Sequence, residues 1–204
     1  MAGRVSETRG FPELKPVAAP PELERFVTAV RRLQDLAVST MPDSEAWTAA
    51  TEQIERACAV LDPFGVPDGQ AAAGRAITLP GLGHPLMPPW TITDSGADGV
   101  TMEGHFSRFH VGGNMAVHGG VIPLFYDWHL GMIVSAAGRP ISRTAYLHVD
   151  YRAVTPIDTP LISRGRIERL DGRKAFITAT MTDLHGTVLS EANGLMIKLL
   201  SHQP

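Results

Sequence analysis

The feature that most constrains the fold of this chain is a long apolar stretch that contains a single formal charge. Between Val111 and Gly138 the only acidic or basic side chain, with histidine counted as neutral, is that of Asp127. The stretch is long enough to suggest a membrane span, but an aspartate at the bilayer centre costs roughly 2.5–3.5 kcal/mol on insertion scales. We therefore predict no membrane span and instead a buried helix, which opens at His118 and runs to about Ala137.

Composition and charge exclude several other classes of protein. Hydrophobic residues make up 44% of the 204 residues and charged residues 19%, so the chain can bury a sizeable core and is not disordered throughout. The formal net charge is −3 and no block of five like charges occurs, which argues against a nucleic-acid partner. The single cysteine, Cys58, excludes an internal disulfide framework, and we expect it to be a small core residue. No apolar leader is visible in residues 1–20, which favours a cytoplasmic location.

Proline and hydrophobic periodicity divide the chain into four segments. We predict a flexible arm at 1–20, a two-helix extension at 21–62, a connector rich in Pro and Gly at 63–89, and the main domain at 90–204. In the extension, apolar side chains recur at helical spacing over about 21–39, and again from an N-cap at Asp43 or Ser44 to about 61. Because charged side chains fill the opposite faces, we expect both helices to pack on the main domain.

The main domain combines strand-like segments with the apolar helix. Strand patterns cover 89–93 and 100–110 before the helix, and 144–151, 161–170, 173–183 and 188–199 after it. Asp171-Gly172 is a hairpin signal between two of these strands. In the first strand after the helix, alternation puts Thr144 and Leu147 on opposite faces. A helix that is hydrophobic nearly all round must be enclosed, so the sequence predicts an α+β fold in which a curled antiparallel sheet surrounds one long buried helix.

Conventional motifs for nucleophilic catalysis, phosphate binding and metal binding are missing from the sequence. It has neither a G-x-S-x-G elbow nor a G-x-x-x-x-G-K-[ST] loop. His105 and His110 are an odd number of residues apart on a predicted strand, so they should point to opposite faces. His118 and His129 are eleven residues apart, roughly 16 Å along a helix, which is too far for zinc bonds of ~2 Å. We therefore predict neither a metal site nor a cofactor.

The start of the apolar helix and its one carboxylate remain as candidates for catalysis. Gly119 and Gly120 leave backbone N–H groups with no side chain to block an approaching oxygen, and the helix dipole adds roughly half a positive charge there. Such an end can stabilise an oxyanion, although glycines in this place also allow a helix to pack closely on a sheet. A carboxylate such as Asp127 among apolar neighbours is costly unless it has a partner. It fits a general base as well as a structural acceptor for a neighbouring strand.

The spacing of these two candidates bears on the oligomeric state. Gly119 and Asp127 are eight residues apart, roughly 12 Å along a helix axis and about 80° around it. One acyl carbon cannot contact both groups of the same chain. If both act on one substrate, they must come from two chains related by a two-fold axis, so the sequence predicts a homodimer with its sites at the interface.

These residues resemble the phenylacetate-pathway branch of the hotdog-fold acyl-CoA thioesterases. The resemblance covers about 90–199 and rests on His118-Gly119-Gly120, on Asp127 nine positions after the histidine, on the strand that leads into Thr155-Pro156, and on the turn that starts at Asp171. It implies the hotdog fold and homodimers that often pair into tetramers. It also implies hydrolysis of acyl-CoA without a metal or a cofactor, since coenzyme A is part of the substrate.

The resemblance also implies roles for individual residues. Asp127 would be the general base or the nucleophile, and the Gly119 N–H would polarise the thioester carbonyl. Thr144 would help to hold the water. The contacts to CoA would come from Tyr151, Gly172, Arg173 and Lys174. The side chains of Arg173 and Lys174 would meet the CoA phosphates.

The sequence departs from the family pattern at one position of the oxyanion site. Many members carry an asparagine six positions before the histidine of the HGG motif, where this chain has Gly112. Asn114, four positions before His118, is the candidate substitute. Two other functions stay open: a hotdog enoyl-CoA hydratase or dehydratase that recruits His118, and a non-catalytic acyl-CoA binding module. The N-terminal helices and the connector lie outside the resemblance and could cover the sheet edge or cap the acyl tunnel.

Overall fold

A six-stranded antiparallel sheet and the helix that it surrounds form the centre of the molecule. The computed structural model describes residues 15–200, so most of the predicted arm lies outside the described residues. The helices are α1 (Pro21–Ser39), α2 (Ser44–Leu61) and α3 (Val121–Ala136), and the strands are β1 (Thr91–Gly96), β2 (Gly99–Gly104), β3 (Val111–Gly113), β4 (Ala116–Val117), β5 (Ser142–Tyr151), β6 (Leu161–Asp171), β7 (Lys174–Asp183) and β8 (Val188–Lys198). The sheet order is β1-β2-β6-β7-β8-β5, and β3 and β4 form a separate small hairpin. The predicted α+β class is confirmed.

The apolar surface of α3 explains why the sheet encloses it. Eight of its 16 residues are buried, and the helix contacts all six strands of the sheet. Gly165 and Gly194 face it from the sheet, where an added Cβ would collide with the side chains of Ile133 and Leu130. Their missing side chains let the helix approach the sheet closely. No helix within residues 15–200 is long and apolar enough to cross a membrane.

The first N-terminal helix, α1, packs on the rest of the chain as predicted. Its buried Val27 joins Ala76 and Leu79 of the connector in a small second core. Nearer its end, the Oδ1 atom of Asp35 accepts a hydrogen bond from the Phe109 N–H at 2.9 Å. These contacts attach the extension to both the connector and the main domain.

The second helix, α2, does not pack as predicted. It begins at the predicted cap, because the Asp43 side chain accepts a hydrogen bond from the Ala46 N–H at 2.9 Å. None of its residues is buried, and Cys58 is exposed, so the prediction of a core cysteine is wrong for the single chain. Five of the 18 residues of α2 are alanines. Docking the apolar face of α2 would therefore bury little apolar surface. This small gain would have to offset the conformational entropy that is lost when the helix is ordered against the domain.

The second predicted strand is shorter than expected. β2 ends at Gly104, and Arg108–His110 form a turn of 3₁₀-helix. His110 Nδ1 accepts a hydrogen bond from the Ser107 N–H at 3.0 Å, and such local side-chain bonds compete with strand pairing. The prediction that His105 and His110 lie on opposite faces of one strand is therefore wrong.

A bulge in β5 changes which residues face the helix. The register of β5 with β8 shifts between Thr144 and Tyr146. One extra residue in a strand reverses the face of every side chain on one side of the bulge. Thr144 consequently faces α3, as does Leu147, which packs against the main core. The sequence alternation had put the two on opposite faces.

The lowered pKa values of two buried histidines allow us to predict how the stability changes with pH. Burial lowers the pKa of His129 and that of His110 from 6.5 to about 4. The neutral ring of His129 is held by the Val100 carbonyl at 3.2 Å and the Ser163 hydroxyl at 3.0 Å. Between pH 6.5 and 4 the unfolded chain therefore binds protons that the folded chain does not. Over this window the free energy of unfolding should fall by on the order of 2–4 kcal/mol per histidine, and above it these groups should have no effect.

Urea denaturation at about pH 7.5 and about pH 4.5 measures this loss. A His129→Gln variant should lose part of the pH dependence, whereas the same change at the exposed His105 should retain it. Equal denaturation midpoints at the two pH values in the unmodified protein would contradict the prediction.

Candidate active site

Asp127 and Thr144 meet on the open side of α3. The Thr144 hydroxyl donates a hydrogen bond to Asp127 Oδ1 at 2.6 Å. Asp127 is exposed, because Tyr126 and Trp128 on either side of it turn into the core while Asp127 lies on the opposite face of the helix. The prediction of a carboxylate among apolar neighbours is therefore wrong for the single chain. The second carboxylate oxygen has no partner within residues 15–200. We refer to Asp127 and Thr144 as the carboxylate half-site.

A second group of predicted residues lies at the start of α3. The helix begins at Val121, with Gly120 as its N-cap. The Tyr151 hydroxyl donates to the Gly119 carbonyl at 2.7 Å, and the Gly120 N–H donates to His118 Nδ1 at 3.0 Å. The Gly119 N–H has no acceptor within the described part of the chain. It is therefore available to the oxygen of a ligand, close to the positive end of the helix dipole. We refer to Gly119 and Tyr151 as the amide half-site.

An open pocket adjoins the amide half-site. Its volume is about 340 Å³, and its wall combines Gly119 and Tyr151 with Ile122 of α3 and the segment 152–155 after β5. The volume is within the range of small-molecule sites, ~300–1,000 Å³. A ligand in this pocket would lie against the free N–H group.

Close packing explains the glycine at position 112. An added Cβ there would lie 2.7 Å from His118 Cα, a distance that real Cβ atoms do not adopt. An asparagine, which the resemblance led us to expect, cannot stand here unless the HGG loop moves. Asn114 lies at the tip of the β3–β4 hairpin with a φ of 47°. Its side chain is exposed and has no hydrogen-bond partner among the described residues.

The turn predicted to contact CoA joins β6 and β7. Gly172 adopts a φ of 55° in this turn, and Arg173 Nη1 donates to the Lys198 carbonyl at 3.3 Å. Arg139, just after α3, donates to the Gly172 carbonyl at 3.3 Å. The sequence analysis gave Arg139 no role in binding. Its position beside Lys174 and Arg173 depends on how the end of α3 meets the sheet, and no local pattern in the sequence indicates it.

Strand geometry divides the predicted site residues into two groups. Thr144 and Tyr151 are seven residues apart on β5, which is roughly 23 Å along an extended strand. The turn 172–174 lies at the Thr144 end of the sheet, so Tyr151 is distant from the other predicted CoA contacts of the same chain. The two half-sites of one chain are too far apart to contact one thioester, in agreement with the spacing argument from the sequence.

His118 and His129, the two histidines of the helix region, take part in separate local hydrogen bonds. His118 accepts from Gly120, and His129 is bonded inside the core. No group of three or more His, Cys, Asp or Glu side chains that could hold a metal ion occurs within residues 15–200.

Comparison with known proteins identifies the fold. Residues 114–190 match the family model of the thioesterase superfamily. Acyl-coenzyme A thioesterase THEM4 of Rattus norvegicus is 33% identical over 90 residues, which are 43% of this chain and 38% of the rat protein. The matched region thus spans well under half the length of this relative.

Two solved structures extend the comparison to three dimensions. A protein described as a thioesterase superfamily protein superposes with a TM-score of 0.75 at 23% identity, over 90% of this chain and 97% of that chain. A hypothetical thioesterase protein of Streptococcus pneumoniae TIGR4, solved with coenzyme A, superposes with a TM-score of 0.51 at 17% identity, over 53% of this chain and 86% of its own. The chain has the hotdog fold, as the sequence predicted.

Proposed function

We propose that the protein hydrolyses acyl-CoA thioesters to a free acid and CoA, at a site that two chains complete. The observation that carries the proposal is the exposed carboxylate of Asp127, which the Thr144 hydroxyl holds at 2.6 Å on the one helix that the sheet surrounds. The name of the rat relative and the coenzyme A in the Streptococcus structure support the substrate class. The HGG motif with Asp127 nine positions after its histidine supports the phenylacetate-pathway branch.

In this proposal Asp127 is the general base. Thr144 occupies Oδ1, so Oδ2 accepts a proton from a water molecule whose oxygen attacks the thioester carbon. The electrons of the C=O double bond move to oxygen, and collapse of the tetrahedral intermediate breaks the C–S bond. The CoA sulfur then takes the proton from Asp127, so the products are the acid and the thiol. Direct attack by the Asp127 carboxylate is the other route that the resemblance allows.

The oxyanion is stabilised at the amide half-site of a second chain. The N–H of Gly119 donates to the developing negative charge, and the helix dipole adds to this stabilisation. The Tyr151 hydroxyl holds the Gly119 carbonyl at 2.7 Å and so fixes the orientation of the peptide that precedes the helix. The exposed Asn114 is a candidate second donor.

Coenzyme A is expected to bind near the carboxylate half-site. The turn 172–174 supplies Arg173 and Lys174, and Arg139 adds a third cation beside Gly172. Such cations suit the phosphates of CoA. Tyr151 would contact the CoA bound to the carboxylate half-site of the other chain, in a homodimer or in a dimer of such dimers.

The hydratase alternative needs a histidine paired with a carboxylate. His118 Nδ1 accepts from the Gly120 N–H, and no Asp or Glu within residues 15–200 bonds its ring.

The deciding experiment measures thiol release from saturated acyl-CoAs of increasing length, and hydration of an enoyl-CoA beside it. Thiol release without hydration supports hydrolysis. Hydration alone would overturn it, and tight binding with neither reaction would indicate an acyl-CoA binding module.

Removal of the Thr144 hydroxyl should weaken catalysis without abolishing it. A hydrogen bond to a charged group contributes about 1.5–3 kcal/mol, so Thr144→Val should lower kcat about 10- to 100-fold through loss of the oriented carboxylate. Thr144→Ser retains the donor and should stay within a few fold of the unmodified protein. Equal losses in the two variants, measured as kcat for thiol release, would argue that the β5 bulge needs threonine for packing alone.

A further inference from the structure

A pocket of about 490 Å³ begins beside the carboxylate half-site. Its wall includes Gly131, one helical turn after Asp127, and Ser142, which lies two residues before Thr144 and on the same side of β5. It also includes Met196, whose Sδ lies 3.1 Å from the Thr144 hydroxyl oxygen. A group attached to a thioester carbon at Asp127 would therefore lie next to this pocket.

The pocket exposes apolar side chains to solvent. Ile77, Ile92 and Ile141 all line it, and they are 58%, 38% and 40% exposed. They come from the connector, from β1 and from the segment before β5, so the fold gathers them from three distant parts of the sequence. Clustered exposed apolar surface of this kind marks a binding site, and the ligand that covers it must itself be apolar.

Gly131 keeps the helical side of the pocket open. It stands inside α3, where glycine destabilises a helix relative to alanine. A Cβ added at Gly131 would meet no atom within 4 Å other than those of its own helix and chain neighbours. Packing within this chain therefore gives no reason for a glycine here, whereas a ligand that lies along the helix does.

The connector forms the opposite wall, and α1 holds it in place. Leu82 lines the pocket with a φ of 55°, a left-handed conformation that a leucine keeps only when its surroundings impose it. The Arg31 guanidinium of α1 supplies that constraint through bonds to three carbonyls of this loop: those of Met87 at 2.8 Å, and of Pro80 and His84 at 3.1 Å each. The extension and the connector together therefore build a fixed wall.

We propose that this pocket receives the acyl chain of the substrate, and that the connector sets which chain lengths the protein accepts. The inference rests on the proposed function, because it places the thioester carbonyl at Asp127. The ligand class is an apolar acyl group longer than acetyl. Each methylene that the pocket buries should raise kcat/KM by up to about fourfold, until the chain reaches the connector wall.

Substitution of Ile77 tests the wall. We expect kcat/KM of the unmodified protein to rise from acetyl-CoA through longer saturated acyl-CoAs and then level off. Ile77→Trp should shorten the preferred chain and lower kcat/KM for the longest substrates at least about tenfold, while acetyl-CoA stays within about twofold. Val66→Trp places the same bulk at an exposed connector position outside the pocket and should change nothing. An equal factor at every chain length in Ile77→Trp would overturn the proposal.

A second variant and a binding assay separate this proposal from the proposed function. Gly131→Leu fills the pocket from the helix side and should shift the chain-length profile in the same direction as Ile77→Trp.

If the unmodified protein releases no thiol from any acyl-CoA, the proposed hydrolysis fails. Displacement of a dansyl-labelled fatty acid then tests the pocket: binding that Ile77→Trp weakens and Val66→Trp leaves intact supports it, and no binding overturns it. Loss of the dimer in Ile77→Trp, seen by sedimentation with an unchanged profile, would show instead that a second chain covers this surface.

Discussion

Replacement of Asp127 by asparagine is expected to lower kcat for thiol release by about 10²–10⁴-fold, the usual contribution of a general base. The amide keeps the shape of the side chain and an oxygen that accepts the Thr144 hydrogen bond, but it cannot take a proton from water. Because Asp127 is exposed and lies on the open side of α3, where it contacts the edge strand β5 through Thr144, the substitution removes no core contact. The variant should therefore unfold at the same denaturant concentration as the unmodified protein.

Comparison of the loss of kcat in Asp127→Asn with that in Thr144→Val distinguishes the base from the residue that orients it. Asp127→Asn should cost more than Thr144→Val, and the double variant should cost little more than Asp127→Asn alone, because the hydroxyl acts through the carboxylate. KM for acyl-CoA should change little in either. An unaltered kcat in a well-folded Asp127→Asn protein would contradict the assignment of Asp127 as the general base.

The elements with strong local signals could be predicted from the sequence. The apolar run indicated α3 within a few residues, and Asp171-Gly172 indicated the β6–β7 hairpin, because each signal depends on neighbours along the chain. The need to enclose α3 gave the curled sheet. The separation of Gly119 and Asp127 depends mostly on helical rise, because all of the residues between them except Gly120 belong to α3.

The details of the candidate site depend on contacts that the sequence does not display. One bulge residue near Thr144 decides whether its hydroxyl meets Asp127, and strict alternation gives the wrong face. The exposure of Asp127 follows from which face of α3 the sheet leaves open. The wall around Leu82 is held by Arg31, 51 residues earlier in the chain, through backbone carbonyls that carry no side-chain signature. Helical periodicity alone predicts that α2 docks, whereas the five alanines of this helix leave it little apolar surface to bury.

The prediction with the sharpest consequence for assembly is that two inactive chains should restore activity when mixed. The half-sites of one chain are separated along α3 and along β5, so each working site needs Asp127 of one chain and Gly119 of the other. Gly119→Pro removes the Gly119 N–H, which has no acceptor within residues 15–200, and an added Cβ there meets only the Tyr151 hydroxyl, at 3.9 Å. Gly119→Ala keeps that N–H and should remain within a few fold of full activity.

When Gly119→Pro and Asp127→Asn chains are refolded together in equal amounts, about half of the dimers should be mixed, and one of the two sites in each mixed dimer regains both groups. The mixture should therefore show roughly a quarter of the activity of the unmodified protein, against almost none for either variant alone. Tags of different charge on the two chains allow the mixed dimer to be isolated, where the expected activity is about half. Mixed dimers that fold but stay inactive, or full activity in a species that sediments as a monomer, would mean that one chain brings both groups to the substrate. Thr144 and Tyr151 of a single chain are roughly 23 Å apart, which is too far for one thioester to contact both half-sites. That outcome would therefore require α3 or β5 to rearrange on binding.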